Sequence, residues 1–131
     1  MEGTPREVVL ELYRLWSEEG VEAAMQHVSP EIEWIEPAEA VGREDRRGVE
    51  GALANYESWT GTYEEYGGEV ADVEDHGDRV LVRFVQRGTP RGGSKAVEES
   101  IYQLWTVRDG LAARMQMFFD VEEARAALYE S

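Results

Sequence analysis

The spacing of apolar residues changes once along this chain, and that change restricts the possible folds more than any other feature. In the first half apolar residues recur at helical spacing, as at Val9, Leu12 and Trp16. In the second half they fall in short runs of alternating character, and the runs are separated by turn-forming residues, as in strands joined by hairpins. Helices followed by an antiparallel meander predict an α+β domain with helices packed on one face of the sheet.

The first half contains signals for three helices and one strand. Thr4 and Glu7 have the spacing of a capping box around Pro5, which suits the first position of a helix. Gly20 suits a helix C-terminus, and Pro37, which lacks an N–H, ends the strand. The predicted elements are a helix from Pro5 up to Gly20, a helix over 21–27, a strand over 31–36, a mobile polar loop over 38–47 and a helix over 48–59.

The second half contains two hairpin signals, one at residues 75–78 and one at Asp109-Gly110. Asp120 and Glu123 have capping-box spacing, so Asp120 is expected to begin a final helix rather than to act as an acid. The predicted elements are strands over 70–74, 79–87, 97–108 and 111–119, followed by a helix that ends near Tyr129.

Composition excludes several classes of function. At 131 residues the chain, 1–131, is expected to form a single domain, and without cysteine it has no thiol chemistry. A net charge of −15 argues against nucleic acid, because binding phosphate requires lysine and arginine. No apolar run is long enough for a membrane span, and no signal peptide is recognisable, so we expect a cytoplasmic protein. His27 and His76 have no partners at metal-ligand spacing, so no metal is expected.

Four segments, in this order and at this spacing, give the chain a family resemblance. They are Leu12-Tyr-Arg-Leu-Trp with Gly20, Ser29-Pro-Glu-Ile-Glu-Trp-Ile-Glu-Pro37, Gly77-Asp-Arg-Val-Leu-Val82 and Trp105-Thr-Val-Arg-Asp-Gly110. The chain resembles the nuclear-transport-factor-2-like superfamily, especially its SnoaL-like polyketide cyclase branch. The resemblance implies a cone-like fold in which three N-terminal helices pack on a curved, mostly antiparallel sheet and enclose a pocket. It further implies a hydrophobic small-molecule ligand and no cofactor.

The two faces of the predicted sheet are both apolar. One face carries Val80, Val82 and Phe84. The opposite face carries apolar residues whose full exposure to water would be unfavourable: Leu81, Val85, Tyr102, Leu104 and Phe118. An apolar outer face predicts a partner. Because members of the family commonly form dimers through this face, the resemblance implies a homodimer.

Ketosteroid isomerases resemble the segment around Glu36, since they place a catalytic carboxylate just before a proline. The resemblance implies that Glu36 is the base, because a carboxylate in an apolar pocket becomes a better proton acceptor near neutral pH. It also implies that Tyr13 donates to the substrate oxygen and that Tyr56 supports Tyr13 by a hydrogen bond. The alternative for each of the three is a structural role in the core or at the surface.

Two positions depart from the catalytic patterns of these relatives. Gln103 stands where an isomerase has a protonated aspartate, so it would act as a second donor, weaker than an acid. A shift of one residue in that strand would put Tyr102 there instead. Met117 fills the position of the cyclases' catalytic acid and cannot accept a proton, so ring closure of the cyclase type is not expected.

The remaining ligand-binding candidates are the large apolar residues that the resemblance places on the pocket wall. They are Trp16, Trp34, Tyr56, Trp59, Phe84, Trp105, Met115, Met117 and Phe119. Three functions stay open at this stage: a cofactor-free isomerase, lyase or hydrolase that works by proton transfer, a pocket that binds without turnover, and a dimer module with a packed interior.

Overall fold

The computed structural model describes residues 3–37 and 45–130. Within them the chain forms four helices and six strands, in an α+β arrangement that confirms the predicted fold class. The elements are α1 (Pro5–Glu19), α2 (Val21–Met25), β1 (Val28–Ile35), β2 (Arg46–Arg47), α3 (Gly48–Thr60), β3 (Gly67–His76), β4 (Arg79–Gly88), β5 (Val97–Arg108), β6 (Leu111–Phe118) and α4 (Val121–Leu128).

Helix α1 begins at the predicted capping box. The Thr4 hydroxyl accepts a hydrogen bond from the Glu7 backbone N–H at 3.2 Å, and the Glu7 carboxylate accepts one from the Thr4 N–H at 3.0 Å. These two bonds satisfy N–H groups that the first turn of a helix leaves unpaired. Val9, Leu12 and Leu15 lie on the buried face of the helix, so the cap fixes where that face begins.

The six strands form one sheet in the order β2-β1-β6-β5-β4-β3. Its neighbours are antiparallel except β1 and β6, which run parallel with Trp34 opposite Met115. The turn between β5 and β6 has positive φ at both Asp109 (53°) and Gly110 (77°). Because two-residue hairpins that match the strand twist require this conformation, the Asp-Gly pair sets the register of the two strands.

The main core lies between the inner face of the sheet and the first three helices. Inner-face residues such as Val82 and Met115 are fully buried against Val9 of α1 and Ala52 of α3. The predicted packing of three N-terminal helices on the sheet therefore holds.

Helix α4 corrects the prediction that the helices share one face. It lies on the outer face, where Ala124 and Leu128 bury Leu81 and Leu104 in a second, smaller core. This helix removes from solvent two of the residues on which the homodimer prediction depended. Val85, Tyr102 and Phe118 remain partly exposed on that face.

Two predicted boundaries in the first half are wrong by more than one residue. Helix α2 ends at Met25 rather than at residue 27, and β1 begins at Val28 rather than at Glu31. Pro30 is compatible with this strand because its pairing with β6 is irregular between Val28 and Glu33, so its missing N–H interrupts no regular ladder.

The polar loop predicted over 38–47 contains a short strand at its end. Arg46 and Arg47 form β2, which pairs with Trp34 and Glu33 of β1. A two-residue strand has no periodicity of its own, so its existence depends on the partner strand. Residues 38–44, and with them the predicted mobility, lie outside the described residues.

Strand β3 begins at Gly67, three residues before the predicted start. A Cβ at Gly68 would lie 2.6 Å from the ring of Phe84 and 2.5 Å from the carbonyl oxygen of Val85. The strand therefore continues through a glycine because the ring of Phe84 occupies the space that a side chain would need.

None of the described helices has both the length and the apolar character that crossing a membrane requires.

Candidate functional site

A cavity lies between α1, α2, α3 and the inner face of the sheet. The space that the centre of a water-sized sphere can occupy in it is about 80 Å³, compared with roughly 10–15 Å³ for one water molecule. Its wall has seven aliphatic residues, and no charged residue from the described part of the chain lines it. The aromatic and amide residues of the wall are Tyr13, Trp16, Trp34, Asn55, Tyr56, Trp59, Tyr66, Phe84, Gln103 and Trp105.

One chain of hydrogen bonds connects Trp105, Tyr13 and Gln103. The Trp105 indole Nε1 donates to the Tyr13 hydroxyl at 2.9 Å, and that hydroxyl donates to Gln103 Oε1. The ring of Tyr13 also stacks on Phe84 and meets Trp105 edge to face, with ring centroids 5.8 and 6.0 Å apart. Tyr13 and Gln103 are therefore brought together, as predicted, although 90 positions separate them.

A second chain connects Trp34, Asn55 and Glu36. The Trp34 Nε1 donates to Asn55 Oδ1 at 2.7 Å, and Asn55 Nδ2 donates to a Glu36 carboxylate oxygen. Asn55 lines the cavity and is 3% exposed, whereas Glu36 is half-buried and is absent from the cavity wall. The carboxylate predicted to be the base therefore lies behind the amide of Asn55.

Tyr56 lines the cavity, but its partner differs from the predicted one. Its hydroxyl accepts from the Trp16 Nε1 at 2.6 Å, so it is bonded to that indole rather than to Tyr13. Trp16 and Tyr56 belong to α1 and α3. Their hydrogen bond therefore joins the two long helices above the sheet.

A third polar cluster surrounds Gln86, which is 2% exposed. Its Oε1 accepts from the Trp59 Nε1 at 2.8 Å and from the Tyr66 hydroxyl at 2.9 Å, and its Nε2 donates to Glu99 at 2.7 Å. The amide is thus bonded on both sides, and it holds two aromatic residues of the cavity wall in place.

Most of the predicted pocket residues do line the cavity, and two of the predicted ligand-binding residues do not. Met115 is fully buried between its strand neighbours Trp34 and Trp105 and is not part of the cavity wall. Phe119 lies outside the wall, 42% exposed, and stacks on Trp59 at 6.2 Å. The predicted site residues that line the cavity are Tyr13, Trp16, Trp34, Tyr56, Trp59, Phe84, Gln103, Trp105 and Met117.

The register of β5 decides between Gln103 and Tyr102. Gln103 pairs with Val82 and Met117 on the inner face, whereas Tyr102 packs against the outer core under α4. Gln103 is therefore the residue that faces the cavity.

Asn55 and Gln86 are two residues of the site that the sequence does not predict. Asn55 lies three positions after Ala52 and four before Trp59, on the apolar face of α3. Gln86 continues the inward alternation of Val82 and Phe84 in β4. A polar residue at an inward position of an apolar pattern was the available signal for both.

Comparison with known families identifies the chain. The sequence pattern of the SnoaL-like domain matches residues 9–115. The chain belongs to this family. No curated protein matches the SnoaL-like domain described here.

Solved structures show the same fold over nearly the whole SnoaL-like domain. A nuclear-transport-factor-2-like protein from Burkholderia thailandensis superposes with a TM-score of 0.79 at 25% identity, covering 94% of this chain and 98% of that one. A candidate SnoaL-like polyketide cyclase from Jannaschia sp. gives 0.76 at 21% identity, with coverages of 99% and 94%. TerC, co-crystallised with polyporic acid, gives 0.75 at 24% identity, with coverages of 97% and 98%.

Burial perturbs two phenols in the cavity of this SnoaL-like domain. It raises the pKa of Tyr13 above its usual range, and the hydrogen bond from Trp105 opposes that rise in part. Burial likewise raises the pKa of Tyr66. Both hydroxyls therefore keep their protons where a solvated tyrosine would ionise.

The raised pKa of Tyr13 gives a prediction for alkaline pH. In the unfolded chain the Tyr13 phenol releases its proton above about pH 10, while in the folded protein it retains it. The contribution of this group to the free energy of unfolding is therefore complete below that pH and is lost as the pH rises. The free energy of unfolding of the wild type should therefore fall faster than that of Tyr13→Phe, by about 1.4 kcal/mol per pH unit above about pH 10. Urea unfolding followed by tryptophan fluorescence measures both slopes.

The matched control is Tyr129→Phe, which removes a hydroxyl from a side chain that is 56% exposed. The free energy of unfolding of this variant should fall with pH at the wild-type slope. Equal slopes for the wild type and Tyr13→Phe would show that the Tyr13 hydroxyl is not held protonated by the fold.

Proposed function

We propose that this protein binds an uncharged, mostly apolar small molecule in the cavity beneath α1 and α3. The observation that carries the proposal is the composition of the wall, which is aromatic and aliphatic except for two amides and the tyrosine hydroxyls. Pockets of this kind bind through apolar contact, and a few polar groups fix the orientation of the ligand. The described residues of the wall include no charged side chain. This favours a neutral ligand, because an ion would lose its hydration there without gaining a counter-charge from them.

The aromatic side chains supply most of the expected affinity. Burying apolar surface contributes about 25 cal/mol per Å², and rings that already contact one another present flat, preformed surfaces. Trp34 and Trp105 meet edge to face at 5.9 Å, as do Trp16 and Phe84 at 5.6 Å. These contacts favour a flat ring system, and polyporic acid, with which TerC was co-crystallised, is one compound to test.

A thermal-shift screen tests the binding proposal. Steroids, terpenoids, aromatic polyketides and polyporic acid are each added, and at least one class should raise the melting temperature. A ligand at 100 times its Kd stabilises the folded state by about 2.7 kcal/mol. That corresponds to several degrees.

Two substitutions of alanine by leucine show whether the shift in melting temperature comes from the cavity. Ala24→Leu fills space in the wall and should abolish the shift, whereas Ala126→Leu on the exposed side of α4 should leave it unchanged. Failure of every compound to stabilise the wild type would contradict the proposal.

A second candidate function, proton transfer, is favoured by the bond from Asn55 to Glu36. This bond links a carboxylate to a residue of the cavity wall. If the Glu36 side chain turns past Asn55, its carboxylate can accept a proton from the carbon next to a ligand carbonyl. The enolate oxygen that forms would then be stabilised by the donors around Gln103, and return of the proton to another carbon would complete an isomerisation. Met117 offers no acid on β6, so Glu36 would act alone as the base.

Deuterium uptake tests this second function. The wild type should catalyse exchange next to the carbonyl of 2-tetralone in D₂O, followed by proton NMR. Glu36→Gln should lower the rate by about 100-fold or more, which is the lower end of what a general base contributes. Glu31→Gln, on the exposed part of the same strand, is the control and should exchange at the wild-type rate. No exchange above buffer in the wild type would leave binding as the sole function.

We also propose that two copies of the chain associate through the outer sheet face beside α4. Val85, Tyr102 and Phe118 are partly exposed there and supply the apolar contact. Sedimentation equilibrium should give twice the mass of one chain for the wild type and for the control Val97→Lys, which changes an exposed residue at the start of β5. Phe118→Lys should give a monomer, and a monomeric wild type would refute the dimer.

A further inference from the structure

The direction of the hydrogen bonds around Tyr13 is fixed at one end by an indole. An indole N–H can only donate, and that of Trp105 donates to the Tyr13 hydroxyl at 2.9 Å. The Tyr13 oxygen therefore acts as an acceptor towards Trp105, and its own proton is given to Gln103 Oε1. The chain runs in one direction, from Trp105 through Tyr13 to Gln103.

This direction orients the amide of Gln103. Its oxygen is occupied by Tyr13, so its Nε2, with two N–H groups, is the end left for the cavity. Within residues 3–37 and 45–130, the side chain of Gln103 has no hydrogen bond other than that from Tyr13. The opposite orientation would direct the amide N–H groups at the Tyr13 oxygen, which already accepts from Trp105, and would deprive the Tyr13 proton of its acceptor. A buried donor without an acceptor costs about 1–3 kcal/mol.

The hydrogen bond between Trp16 and Tyr56 runs in the same direction, from the indole to the phenol. The Trp16 Nε1 donates to the Tyr56 hydroxyl, and the proton of that hydroxyl has no acceptor among the described residues. Asn55, the other amide of the wall, accepts from Trp34 at its oxygen and donates one of its two N–H groups to Glu36. Trp105 and Trp16 thus leave the N–H groups of Gln103 and the hydroxyl of Tyr56 as donors for a molecule in the cavity.

We propose that the cavity selects ligands with a carbonyl-type acceptor oxygen, and that the Gln103 Nε2 is the group that binds this oxygen. Tyr13 is then a positioning residue that orients the amide and does not itself donate a hydrogen bond to the ligand. The inference rests on the proposed binding function. It reverses the roles that the resemblance to the isomerases implies, in which the tyrosine donates directly to the substrate oxygen.

Two compounds of the same shape test the selection. Calorimetric titration with 9-fluorenone and with fluorene compares a ring system that has a carbonyl with one that has none. The ketone should bind about tenfold more tightly, which corresponds to one net hydrogen bond of about 1.4 kcal/mol. Equal dissociation constants would overturn the selection and leave the binding function standing, whereas no binding of either compound would overturn both.

Three variants locate the donor. Gln103→Met keeps the length of the side chain and removes the amide, so the preference for the ketone should disappear while the Kd of fluorene stays within about twofold. Gln116→Met makes the same change on the outer face, opposite Leu104, and should keep the preference. Tyr13→Phe should reduce the ratio of the two dissociation constants only in part, because the amide is still present but free to turn.

The reverse pattern would overturn the assignment. If Tyr13→Phe abolishes the preference and Gln103→Met retains it, the phenol is the donor. A measurement on the wild type does not depend on the folding of any variant. The Gln103 side-chain ¹⁵N–H₂ signals should shift when 9-fluorenone is added and stay unchanged with fluorene, and unmoved signals with bound ketone would also contradict the proposal.

Discussion

Every indole N–H around the cavity has to find an acceptor, and the rest of the site depends on how this requirement is met. The acceptors are Tyr56 for Trp16, Asn55 for Trp34, Gln86 for Trp59 and Tyr13 for Trp105. Each bond joins a helix to the sheet or to another helix. An indole left without its partner would carry the desolvation cost of an unpaired donor, about 1–3 kcal/mol. Collapse of the helices and the sheet into the cavity would therefore break these hydrogen bonds, each at that cost.

The parts of the fold that local chemistry determines could be predicted from the sequence. The capping box at Thr4 and the Asp109-Gly110 turn act over a few residues, so their patterns are complete in the sequence itself. Alternation in β4 and β5 likewise indicated which residues face inward, and with the family resemblance it placed Tyr13 and Gln103 together. The strand β2 and the position of α4 on the outer face depend on distant partners, which a local pattern does not contain.

The hydrogen-bond partners inside the site were less predictable than its members. Tyr56 was identified as a wall residue, but which of several nearby groups it would bond depends on angles between α1 and α3 that spacing does not define. Glu36 directly follows β1, which ends at Ile35, and the sequence does not predict that Asn55 lies between it and the cavity. In an apolar interior, a single amide of this kind determines whether a carboxylate faces the cavity or is hydrogen-bonded within the protein.

The parallel pairing of β1 with β6 has a consequence for how the protein forms during synthesis. β1 belongs to the first third of the chain, and its neighbour β6 is the last described strand to leave the ribosome. Contacts between such distant segments are slow to form, because closing the long intervening loop costs entropy before any contact is gained. The tryptophan-bearing helices are therefore translated well before the middle of the sheet can be completed. Folding of this domain is thus expected to be completed only after β6 has left the ribosome, with its aromatic surface available to chaperones until then.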